Sequence, residues 1–199
     1  MSEQTKESQY QFLLELEQKE GLERLGLMSS QVWRDDPRRL LFVLSRYKFV
    51  SKMFSGMDRV LEVGCADGFG ARVVRQEVRE VVASDFDDVF IRRNRERQNP
   101  GDARWPIQYR QHDMLAGPLA EGFDGAYAVD VIEHIPVEDE LRFVGNMAAS
   151  LNHQGVLLLG SPSIQSQVYA SPPSKAGHVN CKDAPGMRKL MSHFFHNVF

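Results

Sequence analysis

The sequence predicts an α/β protein: a mostly parallel sheet with helices on both faces, preceded by a helical extension. Three observations predict it. Short β-branched runs recur from residue 59 onward, at Arg59–Val63, Glu80–Ser84, Ile107–Gln111, Gly125–Val129 and Val156–Gly160, with helical or loop stretches between them. A glycine-rich turn follows the first run. Carboxylates stand at or just after the ends of later runs, where open parallel sheets bind ligands.

The elements follow in order. Tyr10 to Leu25 places Phe12, Leu13, Leu16, Leu22 and Leu25 at roughly helical spacing, with Gly26 as the stop and a short polar link after it. Asp36-Pro37 reads as an N-cap followed by proline at the first helical position. The helix it opens carries an apolar stripe (Leu40, Leu41, Val43, Leu44, Tyr47, Val50) opposite Arg38, Arg39, Arg46, Lys48 and Lys52. After the first strand a helix is expected to begin near Phe69. The run Arg92-Arg93-Asn94-Arg95-Glu96-Arg97 reads as the solvated face of the helix after the second strand. Asp183 to Phe195 reads as a helix, and Asn197-Val198-Phe199 as the beginning of a further strand.

Composition narrows the function classes. The chain has 199 residues, about one domain's worth, with 24 basic and 27 acidic residues and a net charge of −3. That balance gives no support for a grip on nucleic acid. At 42% hydrophobic residues, disorder is excluded as the main state. No apolar run reaches the ~18–20 residues that span a bilayer. The start, Met1 to Glu7, is polar, and two cysteines, Cys65 and Cys181, do not make a disulfide framework. The expected location is cytoplasmic.

The chemistry gathers at the strand ends. The first strand runs into Val60-Leu61-Glu62-Val63-Gly64-Cys65-Ala66-Asp67-Gly68-Phe69-Gly70. Its glycines let the backbone turn tightly beside a ligand, and the helix that follows offers unpaired N–H groups. Asp85 ends the second strand, where a carboxylate can accept from both hydroxyls of a ribose. Asp113 follows the third strand and can accept from an adenine amino group. A dinucleotide fingerprint G-x-G-x-x-G would read Gly64, Ala66, Phe69, and phenylalanine is a poor fit to its last position, which disfavours a nicotinamide oxidoreductase. The glutamate-led pattern E-x-G-x-G-x-G reads Glu62, Gly64, Ala66, Gly68, with alanine in the middle glycine slot.

With the segments VLEVGCADGFG, VVASDFDD, QHDM, FDGAYAVDVIEHI and GVLLLGSPS in this order, the sequence resembles the class I S-adenosylmethionine-dependent methyltransferases over about residues 59–163. The resemblance implies a Rossmann-like fold with an N-terminal helical cap at residues 1–56 and the cofactor-binding domain at 57–199. It implies that Gly64, Ala66 and Gly68 cradle the methionine end of S-adenosylmethionine, with Glu62 organising the loop or the amino group. Asp85 would hold the ribose, Asp113 with Met114 would bracket the adenine, and Asp130 would face the sulfonium and substrate. Alanine at position 66 is expected to be tolerated at negative φ. Trp33, Arg34, Arg46, Tyr47 and Lys48 either simply pack and solvate the N-terminal helices or, as the family's lid implies, bring an arginine or tyrosine to the methionine carboxylate.

The expected reaction is O-methylation of a small-molecule or saccharide acceptor, with His134 or His178 taking the proton and Asn180 as a candidate orienting group. Cys65 is expected to be small-residue filler. Asp130, Glu133, His134 and His178 also resemble a divalent-metal arrangement found in some family members, so a metal is left open. That cluster and the arginine-rich helix would suit an RNA methyltransferase, the alternative function; a catalytically inactive cofactor-binding module is another. The family's sheet has seven strands, so the resemblance also implies that roughly forty residues are missing at the C-terminus, since strands average ~5–6 residues and three are too few.

Overall fold

The computed structural model describes residues 3–98 and 104–199. Residues 1–2, at the start of the polar N-terminal segment, lie outside the described residues. The sheet has five strands: β1 (Arg59–Val63), β2 (Glu80–Asp85), β3 (Gln108–Gln111), β4 (Phe123–Val129) and β5 (Leu151–Gly160). All pair in parallel, in the order β3-β2-β1-β4-β5. The chain leaves β1 in one direction and returns on its other side as β4. This reversal places the topological switch point, where open parallel sheets bind ligands, at the carboxyl ends of β1 and β4.

Strand periodicity sorts the core onto two faces. Val60, Val81, Ala83 and Tyr127 point to one side, and Leu61, Val82, Ala126 and Ala128 to the other. The first side is covered by α3 (Pro37–Met53), α4 (Ala71–Arg75) and α5 (Asp88–Arg97), through Tyr47, Val50, Phe54, Val74 and Ile91. The second is covered by α6 (Glu140–Ala149) and α8 (Ala184–Met191), through Phe143, Val144, Met147, Leu190 and Met191. Two helix starts match the sequence. Asp36 accepts from the Arg38 amide with Pro37 behind it, and Asp183 caps α8 through the Gly186 amide.

Four expectations are corrected. The first helix, α1 (Gln11–Glu20), ends at Gly21 rather than Gly26, because Gly21 takes φ 76° and its amide closes the last turn on Glu17. Its apolar residues Phe12, Leu13 and Leu16 remain exposed. The supposed polar link is a helix, α2 (Leu27–Asp35), with Gly26 at its N-cap. The helix after β1 starts at Ala71, not near Phe69, because the bend runs on to Gly70. Asn197–Phe199 forms no strand; Val198 packs on the α6–α8 side of the core instead. Among the described residues, no helix is long and apolar enough to cross a membrane.

Candidate functional site

The bend after β1 explains its own composition. Gly64, Ala66 and Gly68 all take left-handed backbone, at φ 76°, 42° and 60°. The alternating small residues therefore mark alternating left-handed positions, where a side chain is strained. The expectation of negative φ at Ala66 is overturned. Space reinforces the choice at the flanks: a Cβ on Gly64 would lie 2.4 Å from Val131 Cγ2, and one on Gly68 would lie 2.6 Å from the Tyr109 ring.

Asp85 braces this bend. Its Oδ2 accepts from the Ala66 amide at 2.9 Å and its Oδ1 from the Asp87 amide at 2.9 Å. Each oxygen keeps a second lone pair. From α5, Asn94 donates to the Ala66 carbonyl at 2.7 Å, and the amides of Gly64 and Cys65 both donate to the Ser84 carbonyl. The Cys65 thiol is buried, and burial pushes its pKa well above the usual thiol range, so it is inert packing as expected.

Beneath the bend, Glu62 is fully buried, and burial raises its pKa to about 7 against the opposing pull of the Tyr47 and Tyr127 hydroxyls. Tyr47 on α3 donates to Glu62 Oε1 at 2.8 Å, while Oε2 has no hydrogen-bond partner. Asp130, just past β4, takes φ 57° and pairs through its carboxylate with Arg46, also from α3. Its Oδ1 is buried without a partner, and burial raises its pKa despite Arg46. Arg46 thus reaches the switch point from the N-terminal helices, beside the acid at the end of β4.

Asp113 is exposed and accepts from the Leu115 amide at 2.8 Å, a local turn. Met114 next to it is buried in the α6–α8 side of the core. On the far side of the switch point, the segment after α7 (Pro172–Gly177) is tied to the turn after β4. The Val179 and Asn180 amides both donate to the Glu133 carbonyl. This brings the His178 ring within 5.1 Å of the His134 ring, edge to face. Burial and the neighbouring His134 lower the His178 pKa. Asn180 is buried and donates to Glu140 at 2.8 Å, so it anchors the segment and does not face a substrate.

A profile described as a methyltransferase domain matches residues 60–155. Residues 60–155 form a class I, S-adenosylmethionine-dependent methyltransferase domain. A Mycobacterium tuberculosis protein named "Probable S-adenosylmethionine-dependent methyltransferase" is 31% identical over 106 residues, 52% of this chain. The match spans about a third of that protein's length (35%). Among solved structures, the chain superposes on N-methyltransferase NodS of Bradyrhizobium japonicum WM9 in complex with S-adenosyl-L-homocysteine. The TM-score is 0.63 at 21% identity, covering 83% of this chain and 84% of that one. It also superposes on the mitomycin 7-O-methyltransferase MmcR, at TM-score 0.62 and 15% identity, covering 81% of this chain and 52% of that one. At these identities the superpositions establish the fold.

The methyltransferase domain's residues suit the family's cofactor, S-adenosylmethionine. The unpartnered Oδ1 of Asp130 is a buried acceptor at the end of β4, which suits a cationic ligand, while Glu62 lies buried beneath the bend with the Tyr127 hydroxyl beside it. A cavity of about 1200 Å³ lies elsewhere, between the α1–α2 loop and Arg92, Arg93 and Arg97 of α5, and meets the bend only at Asp67. Donor chemistry, not cavity size, locates this site. The Tyr47–Glu62 bond and the support from Asn94 join residues far apart in the chain. The one visible signal was a tyrosine inside an otherwise aliphatic stripe on α3.

Proposed function

We propose that this chain transfers a methyl group from S-adenosylmethionine to a hydroxyl of a small-molecule or saccharide acceptor. One observation carries the reading: the left-handed bend at Gly64, Ala66 and Gly68 lies at the same carboxyl edge of the sheet as the carboxylates of Asp85, which holds the Ala66 amide, and Asp130, which pairs with Arg46. When bound, the cofactor supplies an electrophilic methyl on a sulfonium. The chain's own residues bind and align. Gly64, Ala66 and Gly68 hold the methionine end, and Glu62 beneath them takes the amino group. Asp85 receives the ribose on its remaining lone pairs, Asp113 and Met114 close the adenine side, and Asp130 faces the sulfonium. Holding acceptor, methyl and sulfur in line is worth ~7–11 kcal/mol of barrier.

The acceptor enters past His134 and His178. An oxygen nucleophile sheds a proton, and a histidine whose pKa is lowered is neutral near pH 7 and able to take it. Imidazoles, the Gln167 amide and Ser161 make this mouth polar, which suits a hydroxyl-rich acceptor. The net charge of −3 disfavours nucleic acid. Residues 1–56 act as the cap and 57–199 as the methyltransferase domain; two free thiols fit a cytoplasmic location. Calorimetry with S-adenosylhomocysteine and transfer of radiolabelled methyl to a panel of hydroxylated acceptors test the reading. Binding at one site with labelled product is expected. Binding of NADH without S-adenosylhomocysteine would overturn it.

A further inference from the structure

Arginines gather in a cavity that cofactor binding does not use. The space of about 1200 Å³ between the α1–α2 loop and α5 is lined, among the described residues, by seven arginines, five acids and the half-buried Trp105. Four of the acids already have partners. Glu20 pairs with Lys19, Glu23 with Arg72 and Asp35 with Arg39, and Asp67 accepts from the Ser29 amide. Arg24, Arg34 and Arg93 form no ion pair or hydrogen bond among the described residues. They stand on three separate segments: the α1–α2 loop, α2 and α5. Glu96 alone is left in the wall to balance them. A concave surface with an excess of one charge focuses the field and concentrates counter-ions. Guanidinium forks match phosphate oxygens two at a time.

We infer that this cavity binds a small molecule carrying a pyrophosphate group. A single phosphate ester carries ~1.5–2 negative charges near pH 7, short of the three unpaired guanidiniums, and two linked phosphates match them better. The volume exceeds the ~300–1,000 Å³ of ordinary small-molecule pockets, so a pyrophosphate joined to a sugar or a base has room. Trp105 supplies an aromatic surface of the kind on which bases stack. RNA fits less well. Glu20, Glu23, Asp35 and Glu96 share the wall and repel a phosphate chain running on past the arginines. The cavity meets the bend after β1 only at Asp67, whose carbonyl accepts from Arg97. It is separate from the carboxylates at the strand ends, and the inference does not rest on the methyl-transfer reading.

The full chain is titrated by calorimetry with inorganic pyrophosphate, orthophosphate and uridine diphosphate, with and without excess S-adenosylhomocysteine. One pyrophosphate per chain is expected, bound at least about tenfold tighter than orthophosphate and unaffected by S-adenosylhomocysteine. Arg24→Gln, Arg34→Gln and Arg93→Gln should each weaken it about tenfold, since each removes a charge-assisted hydrogen bond. Arg188→Gln, on α8 and outside the cavity, should leave it unchanged. The three cavity arginines are exposed, so their variants keep the fold, which melting temperatures check. Tighter binding of uridine diphosphate, lost in Trp105→Leu while pyrophosphate still binds, identifies a nucleoside ester as the ligand. Equal or weaker binding identifies the pyrophosphate group alone. The site is overturned by no saturable binding of either probe, or by binding unchanged in all three arginine variants. Displacement by S-adenosylhomocysteine, or tighter binding of a single-stranded RNA oligomer, overturns it as well.

Discussion

The Tyr47 hydroxyl donates to Glu62 Oε1 at 2.8 Å, joining α3 to the buried end of β1. Burial of Glu62, which this bond only partly opposes, sets a pH dependence. Burial holds Glu62 at a pKa of about 7, above the ordinary 4.5. Between those values the folded state holds a proton that the unfolded state has released. The unfolded state therefore gains as pH rises, by up to about 1.4 kcal/mol per pH unit, until the folded group also ionises. Stability from this group is whole below about pH 4.5 and lost as pH passes about 7. Urea unfolding at pH 5 and pH 8 should show the decline, and Glu62→Gln should flatten it. An unchanged slope in the variant would remove Glu62 as its source.

Ala66 at φ 42° carries strain that glycine would not. A left-handed non-glycine residue costs ~1–2 kcal/mol, offset in part by glycine's greater unfolded-state entropy. Ala66→Gly should therefore stabilise by about 0.5–1 kcal/mol and tighten S-adenosylhomocysteine binding. Gly68→Ala should do the opposite, by about 2–4 kcal/mol, because it adds both strain and a close contact. That contact is with the Tyr109 ring, 2.6 Å from the new Cβ. Tyr109→Leu in the same chain should recover part of the loss in thermal unfolding; no recovery would show that backbone strain alone is responsible.

Asp85 takes an amide hydrogen on each oxygen, from Ala66 and from Asp87. A hydrogen bond to a charged group contributes ~1.5–3 kcal/mol, so Asp85→Ala should destabilise by about 2–4 kcal/mol in denaturant titration. Asparagine can accept one of the two amides but offers a donor to the other. The order of stability should be wild type, Asp85→Asn, Asp85→Ala, and cofactor affinity should fall in the same order.

The legible part of the structure was the part governed by short-range rules. The bounds of β1, the Asp36-Pro37 and Asp183 helix starts, and the crowding of acids at strand ends follow from local sequence. What was missed depends on partners far along the chain. Helix α2 has no side-chain cap of its own, so nothing nearby announces it. The conformation at Ala66 is imposed by Asp85 and Asn94, 19 and 28 residues away. His134 and His178 are grouped in the sequence only through the family resemblance; in the structure the two amides on the Glu133 carbonyl bring them together.

Helix α2 takes its N-terminal support from the bend itself. Asp67 Oδ2 accepts from the Ser29 amide at 2.7 Å, satisfying a helix-start donor that the local chain leaves open. Gly26 must be glycine here, since a Cβ would lie 2.1 Å from Asp67 Cγ. The N-terminal helices are thus coupled to the turn proposed to hold the cofactor. Asp67→Ala should cost α2 about 0.5–2 kcal/mol, seen as faster hydrogen–deuterium exchange over residues 27–35 with the β1 amides unchanged. Gly26→Ala should displace Asp67 and give the same pattern. In the wild type, S-adenosylhomocysteine should slow exchange in α2 by ordering the bend, and in Asp67→Ala that protection should vanish while the cofactor still binds. Equal protection in both chains would mean that α2 responds to the cofactor by another route.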